Sequence, residues 1–367
     1  MSSPIKVMRA WQYSSAAGGL HKALTLNASA AHPRPTSPPK LATDELLVRV
    51  HASSLQHMDH VLAGLPYGLS RLVMPPPASP GMDFAGQIVA TGTSDAGSQS
   101  SQSREPSVRG GRAMVVGDAV LGRLAPTRFG SLGEIVLAKA GSCAPIPAGL
   151  SMVDASAIPS CGLAAYQSIA PYVPEGQATA APGAFRILIH GGSGGCGTFG
   201  IQIAKLLGCH VTTTCSTPNV DLCKSLGADE VIDYTEGNLV ATLQDTSNQF
   251  SLVVDNVGVP ADLYKASDRF LLPQGTFVQV GSDVSMRGMT SLSSRMLRPS
   301  FLGGGSRAFK LMMVQDDAEA LARIAEWMAT GKVKSVMQVF DFADAPKAVE
   351  RLQQRPSHGK VVVKGAN

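Results

Sequence analysis

A glycine-rich segment near the middle of the chain reads Gly192-Ser193-Gly194-Gly195-Cys196-Gly197. It directly follows a short apolar strand at 186–190 and opens an amphipathic helix at 199–207. In this context the glycines of G-x-G-x-x-G permit a tight turn, let backbone amides approach a pyrophosphate and allow close packing of helix on strand. The helix dipole also favours a phosphate anion. We therefore predict that these six residues bind a dinucleotide, rather than forming a merely structural turn.

Strands and helices alternate after about residue 155. Further strands are predicted at 211–214, 231–232, 252–254 and 276–280, with helices of ordinary length between them. After about residue 301 the sequence predicts a helix at 318–328, a stop at Gly331-Lys332 and a strand at 333–339. This alternation is typical of a doubly wound parallel sheet, that is, an α/β fold of the Rossmann type. The first 150 residues instead read as short strands separated by glycines. We predict a Rossmann NADP-binding domain at 156–304 and a mostly β catalytic domain at 1–155, to which 305–367 returns, with a serine-rich surface insertion at 94–112.

Composition and charge exclude several classes of protein. The 367 residues are 44% hydrophobic, and the net charge of +4 is scattered rather than clustered on a basic face, so we expect no nucleic-acid partner. No run of 18 apolar residues is present, so we expect no membrane span. A cytoplasmic location is the expectation. A mitochondrial one is the alternative, because the first 43 residues contain no Asp or Glu.

The six cysteines form no Cys-x-x-Cys pair, and four of them fall within the predicted α/β unit. Free cysteines in such a unit behave as small buried hydrophobic residues. We therefore expect neither structural disulfides nor a zinc ribbon.

The end of the second predicted strand indicates which dinucleotide binds. An NAD site needs Asp or Glu there for the ribose 2′-hydroxyl, and such a charge repels a 2′-phosphate. This chain has Ser216 and Asn219 instead, with Lys224 and Tyr234 further on. All four side chains can donate hydrogen bonds to a phosphate, so we predict NADPH. Alternatively, Ser216 or Asn219 caps the next helix and Lys224 is a solvated surface charge.

Several segments together resemble the medium-chain dehydrogenase/reductase superfamily. They cover residues 50–59, 81–86, 158–166, 189–197, 201–205, 225–234 and 359–363. Within the superfamily the chain is similar to the zinc-free quinone oxidoreductases and to the fungal trans-acting enoyl reductases of polyketide assembly. The resemblance implies a GroES-like fold for the mostly β domain.

Two departures from the alcohol dehydrogenases of this superfamily concern the catalytic zinc. Gln56 stands where their first Cys ligand is expected and Met82 where the His ligand is expected. Both are poor zinc ligands, so we predict no metal, with His57 and His60 as polar lining of the pocket. Hydride transfer without a metal suits a C=C bond conjugated to a carbonyl, or a quinone, because such an acceptor already delocalises the arriving charge.

The resemblance also implies roles for individual residues. It places Gln56 and Asp59 beside the nicotinamide ribose, and the main chain of Val361 and Val362 against the cofactor. The segment around Tyr67 is similar to the one that carries a catalytic Tyr in mitochondrial enoyl-thioester reductases. Asn256 and Gly281, which follow two predicted strands, complete the predicted cofactor site. The predicted substrate residues are Phe129, Leu132, Phe301 and Lys310.

Three readings of the function remain open at this point. The first is an NADPH-dependent, zinc-independent reductase of a small-molecule enone, an enoyl thioester or a quinone. The second is a trans-acting enoyl reductase whose unsaturated substrate is bound to a carrier protein. The third is an NADPH-binding protein without turnover. We also expect a homodimer, joined through the strand at 276–280 and the segment at 286–298.

Overall fold

The structure is a computed structural model. The predicted insertion at 94–112 and the segment at 286–298 lie outside the residues that it describes. The described residues are 7–16, 18–34, 41–65, 69–92, 113–125, 130–176, 185–245, 249–281, 306–354 and 358–366.

The strands within these segments are numbered in chain order. They are β1 (Val7–Gln12), β2 (Thr25–Ala31), β3 (Glu45–Leu55), β4 (Asp83–Thr91), β5 (Ala119–Arg123), β6 (Ile135–Lys139), β7 (Cys143–Pro145), β8 (Arg186–His190), β9 (His210–Cys215), β10 (Glu230–Asp233), β11 (Phe250–Asp255), β12 (Leu271–Gln279), β13 (Ala308–Leu311), β14 (Met337–Phe340) and β15 (Lys360–Lys364).

The α-helices are numbered in the same way. In the described part of the chain, none of them is long and apolar enough to cross a membrane. They are α1 (Leu20–Ala23), α2 (His57–Ala63), α3 (Leu69–Val73), α4 (Met152–Ser156), α5 (Pro159–Ile169), α6 (Gly195–Leu206), α7 (Val220–Ser225), α8 (Leu239–Asp245), α9 (Leu263–Ala266), α10 (Ala318–Ala329) and α11 (Ala345–Gln353).

Six strands form a parallel sheet in the order β10-β9-β8-β11-β12-β13. In sequence order this is 3-2-1-4-5-6, the arrangement of a dinucleotide-binding sheet. Strands β8 and β11 lie at its centre and are almost completely buried, which explains their continuous apolar sequences. The predicted doubly wound sheet is confirmed. The strand order reverses between β8 and β11, where ligands of such sheets bind.

The end of this sheet formed by β12 and β13 differs from the sequence prediction. Strand β13 pairs in parallel with β12, with Thr276 opposite Ala308, so the sheet extends beyond residue 304. Because β12 lies between β11 and β13, the strand at 276–280 is not an edge and that expectation was wrong. Among the described residues, β10 and β13 are the outer strands.

A second sheet of seven strands contains β14-β15-β3-β4-β5-β7, with β6 paired to β3. It is antiparallel except where β14 and β15 run side by side. The chain therefore returns to the mostly β domain after the parallel sheet. Strands β1 and β2 pair separately.

Strand β14 begins four residues later than predicted, because of the way in which α10 ends. Gly331 has a φ of 73°, and the N–H groups of Lys332 and Val333 both donate to the Trp327 carbonyl, at 2.8 and 3.1 Å. These bonds are typical of a glycine-terminated helix and confirm the predicted stop. The N–H of Val333, where the predicted strand begins, is therefore bonded to the helix, and β14 starts only at Met337.

The two sheets are joined directly at the glycine-rich turn. Gly194 forms an isolated β-bridge with Gly359, whose N–H donates to the Ser193 carbonyl at 2.8 Å. The Gln202 side chain forms two further bonds to the Lys334 backbone, at 2.8 and 2.9 Å. The turn is therefore held against the start of β15, which belongs to the other sheet.

Candidate active site

The glycine-rich turn joins β8 to α6 where the strand order reverses. Gly191 has a φ of 83°, a conformation that favours glycine. Its N–H donates to Thr214 Oγ1 at 3.0 Å and that of Gly192 to the Thr214 carbonyl at 2.9 Å, so β9 anchors the turn. A Cβ at Gly197 would lie only 2.1 Å from the Gly191 carbonyl oxygen. Glycine is therefore required at 197 for the helix to pack this closely on the turn.

The start of α6 is suited to bind an anion. The helix has 12 residues, and its N-cap is Gly194, which offers no capping side chain. The first amides of a helix have no partner within it, and its dipole places partial positive charge there. The residues present therefore fit the pyrophosphate of a dinucleotide.

We expect Gly197→Ala to weaken NADPH binding about tenfold, or about 1.4 kcal/mol. It should also lower the free energy of unfolding by about 1–3 kcal/mol, because the methyl group displaces the Gly191 carbonyl. Gly200→Ala in the same helix is the matched control, since its Cβ would meet Ile169 and Ile189 at an ordinary 3.5 Å. Fluorescence titration and chemical denaturation measure both effects. Equal NADPH affinity in the two variants would contradict the role given to the turn.

The residues after β9 lie beside this turn. Ser216 and Asn219 are both buried, and Asn219 Nδ2 donates to Ser216 Oγ at 3.1 Å. Asn219 Oδ1 is buried without a hydrogen-bond partner among the described residues. Neither side chain caps the helical turns that follow in the described structure. A contact of either side chain with the 2′ position of a dinucleotide stays a prediction.

The other two predicted phosphate donors are exposed. Tyr234 follows β10, the residue is 44% exposed, and its N–H donates to the Cys215 carbonyl at 3.1 Å. Lys224 lies exposed on α7. Hydrogen bonds from Thr217 and Thr235 lower the pKa of Asp233, the last residue of β10. Tyr234 therefore lies next to the end of β9. Lys224 lies on α7, and its contact with a phosphate stays a prediction.

The carboxyl end of β11 presents two buried oxygens, Asp255 Oδ2 and Asn256 Oδ1, that have no hydrogen-bond partner among the described residues. The other Asp255 oxygen accepts the N–H groups of Val257 and Gly258 at 2.9 and 2.8 Å. Gly281 packs against this point, since a Cβ there would lie 2.0 Å from the Asn256 carbonyl oxygen. Buried acceptors without a partner are costly, and a ligand in the crevice would satisfy them.

Asp59 holds the start of α2 in place. Its two oxygens accept the N–H groups of Gln56 and Gly81, each at 2.7 Å, and burial raises its pKa to about 6. A contact from Asp59 to the ribose stays a prediction. The Gln56 amide donates to Asp83, and its Oε1 accepts from the Cys161 thiol at 3.4 Å. A contact from Gln56 to the ribose also stays a prediction.

A buried ammonium group lies beside these residues. Lys360 Nζ, with a side chain only 2% exposed, is 3.7 Å from Asp83 Oδ2, 3.6 Å from Cys161 Sγ and 3.4 Å from the Leu55 carbonyl. Asp83 also accepts from the Ser160 N–H at 3.0 Å and its hydroxyl at 2.5 Å. Burial opposes the charge, but Cys161 and Asp83 raise the pKa of Lys360 overall. We call Lys360, Asp83, Cys161, Gln56 and Ser160 the Lys360 cluster.

The Lys360 cluster touches the glycine-rich turn. A Cβ at Gly195 would lie 2.9 Å from Cys161 Sγ and 3.0 Å from Lys360 Cδ. Cys196 Sγ lies 3.5 Å from Cys161 Sγ. The anion-binding end of α6 and the buried charges are therefore in direct contact.

The residues at this place do not fit a catalytic zinc ion. Gln56 and Met82 are poor ligands, and Met82 Sδ already accepts from the Arg123 guanidinium at 3.8 Å. The Cys161 sulfur faces the Lys360 ammonium, whose charge would repel a dication. Among the described residues, no group of three or more His, Cys, Asp or Glu side chains could hold a metal ion.

Val361 and Val362 continue β15 from Lys360 and pair with Leu55 and Ser54 of β3. Their backbone therefore directly follows Gly359, which contacts the glycine-rich turn. A main-chain contact with the cofactor stays a prediction. Tyr67, Phe129 and Phe301 lie outside the described residues.

Two predicted substrate residues are among the described ones. Leu132 is fully buried in a core that includes Trp11, and its backbone N–H and carbonyl pair with Pro80 and Trp11. A contact between Leu132 and a substrate stays a prediction. Lys310 lies on the outer strand β13, with its Nζ 5.2 Å from the ring centroid of Tyr172.

Lys360, Asp83 and Cys161 are site residues for which the sequence alone predicted no role. Cys161 and Lys360 are 199 positions apart, and only the folded chain brings them together. One signal was present: both Asp83 and Lys360 stand next to apolar residues in strands that read as buried. Charged residues in such strands usually have a buried partner.

Known proteins resemble this chain along most of its length. Residues 42–148 match the alcohol dehydrogenase GroES-like domain family, and residues 226–363 match the zinc-binding dehydrogenase family. The trans-enoyl reductase pgmF of Aspergillus terreus is 41% identical over 362 residues, 97% of this chain and 96% of that protein. The mitochondrial NAD(P)H oxidoreductase RTN4IP1 of Danio rerio is 28% identical, covering 87% and 83%. The quinone oxidoreductase structure from Coxiella burnetii has a TM-score of 0.77 at 25% identity, covering 98% and 100%.

The fold and the site define a two-domain, dinucleotide-dependent oxidoreductase. Its mostly β domain is GroES-like, as predicted. The chain belongs to the medium-chain dehydrogenase/reductase superfamily, a family of NAD(P)H-dependent oxidoreductases. Although one matching family is named for zinc, the donor set around Lys360 does not suit that ion.

Proposed function

We propose that this protein is an NADPH-dependent, zinc-independent reductase of an activated C=C bond, in an enone or an enoyl thioester, or of a quinone. One observation carries the proposal: the glycine-rich turn contacts a buried cluster in which the Lys360 ammonium faces Cys161, and Gln56 and Met82 replace metal ligands. The 41% identity to a trans-enoyl reductase supports the same class of substrate.

The pocket residues supply binding and orientation in this proposal. Bound NADPH supplies the hydride. The amides at the start of α6 hold its pyrophosphate, and the main chain at Val361 and Val362 fixes its position relative to the acceptor. Tyr67 is the proposed hydrogen-bond or proton donor to the substrate. Phe129 and Phe301 are proposed to line the substrate pocket.

Ser216 and Asn219 support NADPH over NADH. No carboxylate follows β9 directly, and a hydroxyl and an amide are placed there instead. The exposed Lys224 and Tyr234 add a positive charge and a phenol on the neighbouring elements. These groups favour a 2′-phosphate, which an acidic residue at this point would repel.

An acyl group bound to a carrier protein is a second form of the same substrate. The similarity to trans-enoyl reductase pgmF across nearly the whole of both chains favours including it. A homodimer is also proposed, with β13 as the described outer strand along which a second copy could pair.

The direct test measures loss of reduced-nicotinamide absorbance with enoyl thioesters, small enones and quinones. We expect turnover with NADPH, a kcat/KM at least about tenfold lower with NADH, and no change after treatment with a chelator. Metal analysis of the same sample gives the control. NADPH binding without turnover on any acceptor would support the binding-protein alternative, and turnover that requires zinc would contradict the proposal.

A further inference from the structure

Two thiols face each other where the Lys360 cluster meets the glycine-rich turn. The sulfurs of Cys161 and Cys196 are 3.5 Å apart, and both residues are free cysteines. Cys161 lies in α5 and is 6% exposed, whereas Cys196, the second residue of α6, is partly exposed. A disulfide bond is about 2.05 Å long, so the two sulfurs need to approach by about 1.5 Å.

Cys161 is the more nucleophilic of the two. The Cys196 thiol donates to it, and Lys360 Nζ lies 3.6 Å away. The hydrogen bond from Cys196, and then the Lys360 charge, lower the pKa of Cys161 in spite of its burial. The same hydrogen bond and burial raise the pKa of Cys196. A thiolate beside a protonated thiol and a cation is the setting of reactive cysteine pairs.

We propose that Cys161 and Cys196 form an oxidation site for hydrogen peroxide, which closes to a reversible disulfide and weakens dinucleotide binding. The Cys161 thiolate attacks one peroxide oxygen, the O–O bond breaks, and hydroxide leaves as the sulfenic acid forms. The Cys196 sulfur then attacks the sulfenic sulfur and displaces its hydroxyl group, which leaves as water with the Cys196 proton. The two sulfurs give up two electrons in total, and the peroxide takes them.

The disulfide would disturb the turn because the turn has no space to absorb a shift. Cys161 Sγ already lies within 2.9 Å of where a Gly195 Cβ would be, and Gly197 packs directly against Gly191. Moving the Cys196 side chain therefore moves amides at the start of α6. The new bond also removes the thiolate next to Lys360. This consequence rests on the proposed function, since it assumes that the turn binds the dinucleotide.

The other cysteines lack this setting. Burial raises the pKa of Cys143 to about 12 and that of Cys209 to about 11. Cys215 and Cys223 form a second pair, whose hydrogen bond lowers the pKa of Cys215, but the charged neighbour of this pair is Asp233, which opposes a thiolate where Lys360 favours one. That pair is a control within the same chain.

The test is peroxide treatment of the whole protein, alkylation of remaining thiols, digestion with trypsin and mass spectrometry. We expect peptide 187–205 joined to peptide 140–186, with loss of two of the six thiols and reversal by dithiothreitol. Affinity for NADPH, measured by fluorescence, should fall about tenfold, and prior NADPH should slow the cross-link. Cys143→Ser should still form the cross-link, whereas Cys161→Ser and Cys196→Ser should not.

Three results would overturn the proposal. One is a first cross-link within peptide 206–224, which holds the second cysteine pair. Another is oxidation of Cys161 without a cross-link to Cys196, and the third is a complete cross-link that leaves the NADPH affinity unchanged. If the reduced protein binds no dinucleotide but the cross-link forms, the oxidation site stands and the proposed function fails.

Discussion

Ser216→Asp is expected to invert the nucleotide preference from NADPH to NADH. The added carboxylate would lie at the end of β9, where the 2′-phosphate is proposed to bind, and like charges at short range cost about 2–3 kcal/mol, or about a hundredfold in NADPH affinity. The same carboxylate accepts the 2′-hydroxyl of NADH, which should improve its binding about tenfold. The ratio of kcat/KM values for the two nucleotides should therefore change about a thousandfold.

Ser225→Asp is the matched control for this substitution. It adds the same charge to the same residue type, but at the far end of α7, where the Ser225 hydroxyl donates to the Leu222 carbonyl. We expect it to leave the ratio within about threefold, since solvent screens the exposed charge. An unchanged ratio in Ser216→Asp would show that the phosphate binds elsewhere.

Lys360→Met is expected to destabilise the protein by about 3–5 kcal/mol, because it leaves the fully buried Asp83 charge without its cation. Chemical denaturation followed by circular dichroism measures the loss. The double variant Lys360→Met/Asp83→Asn should recover more than half of it, since the amide keeps hydrogen-bonding capacity without a charge.

Lys364→Met supplies the comparison on the same strand. Lys364 also pairs with an aspartate, Asp341, at 2.9 Å, but both side chains are more than half exposed. Exposed pairs contribute about 0.2–1 kcal/mol, so this variant should be nearly neutral. Similar losses in the Lys360 and Lys364 variants would contradict the account of a buried ion pair.

The parallel sheet and its glycine-rich turn could be predicted because their signals are local. The strand at 186–190, the turn and the helix follow one another directly, and the close contact of Gly197 with Gly191 lies within the turn itself. The end of α10 at Gly331 could also be predicted, because a glycine within the same segment marks it. Strand β13 was not found, because only four residues with alternating burial mark it in the sequence.

The Lys360 cluster could not be predicted, because its chemistry depends on which distant segments meet. Lys360 begins β15 and Cys161 lies in α5, far apart in the chain, and a lysine before three valines gives no hint of an aspartate at 83. The burial of Leu132 has a similar cause: the segment reads as a loop, yet it pairs with both Trp11 and Pro80. Gln56 and Met82, at the positions of expected zinc ligands, did indicate a site unsuited to zinc. The structure adds the Lys360 ammonium, which lies beside the Cys161 sulfur at the same site.

The central claim is that this protein transfers hydride from NADPH to a conjugated C=C bond without a metal ion. The most direct measurement uses NADPH carrying deuterium at the transferable C4 position, an enoyl thioester and protein stripped of metal, with mass spectrometry of the product. The account predicts one deuterium at the β-carbon of the saturated product. A product without deuterium, or deuterium transfer only after zinc is restored, would contradict it.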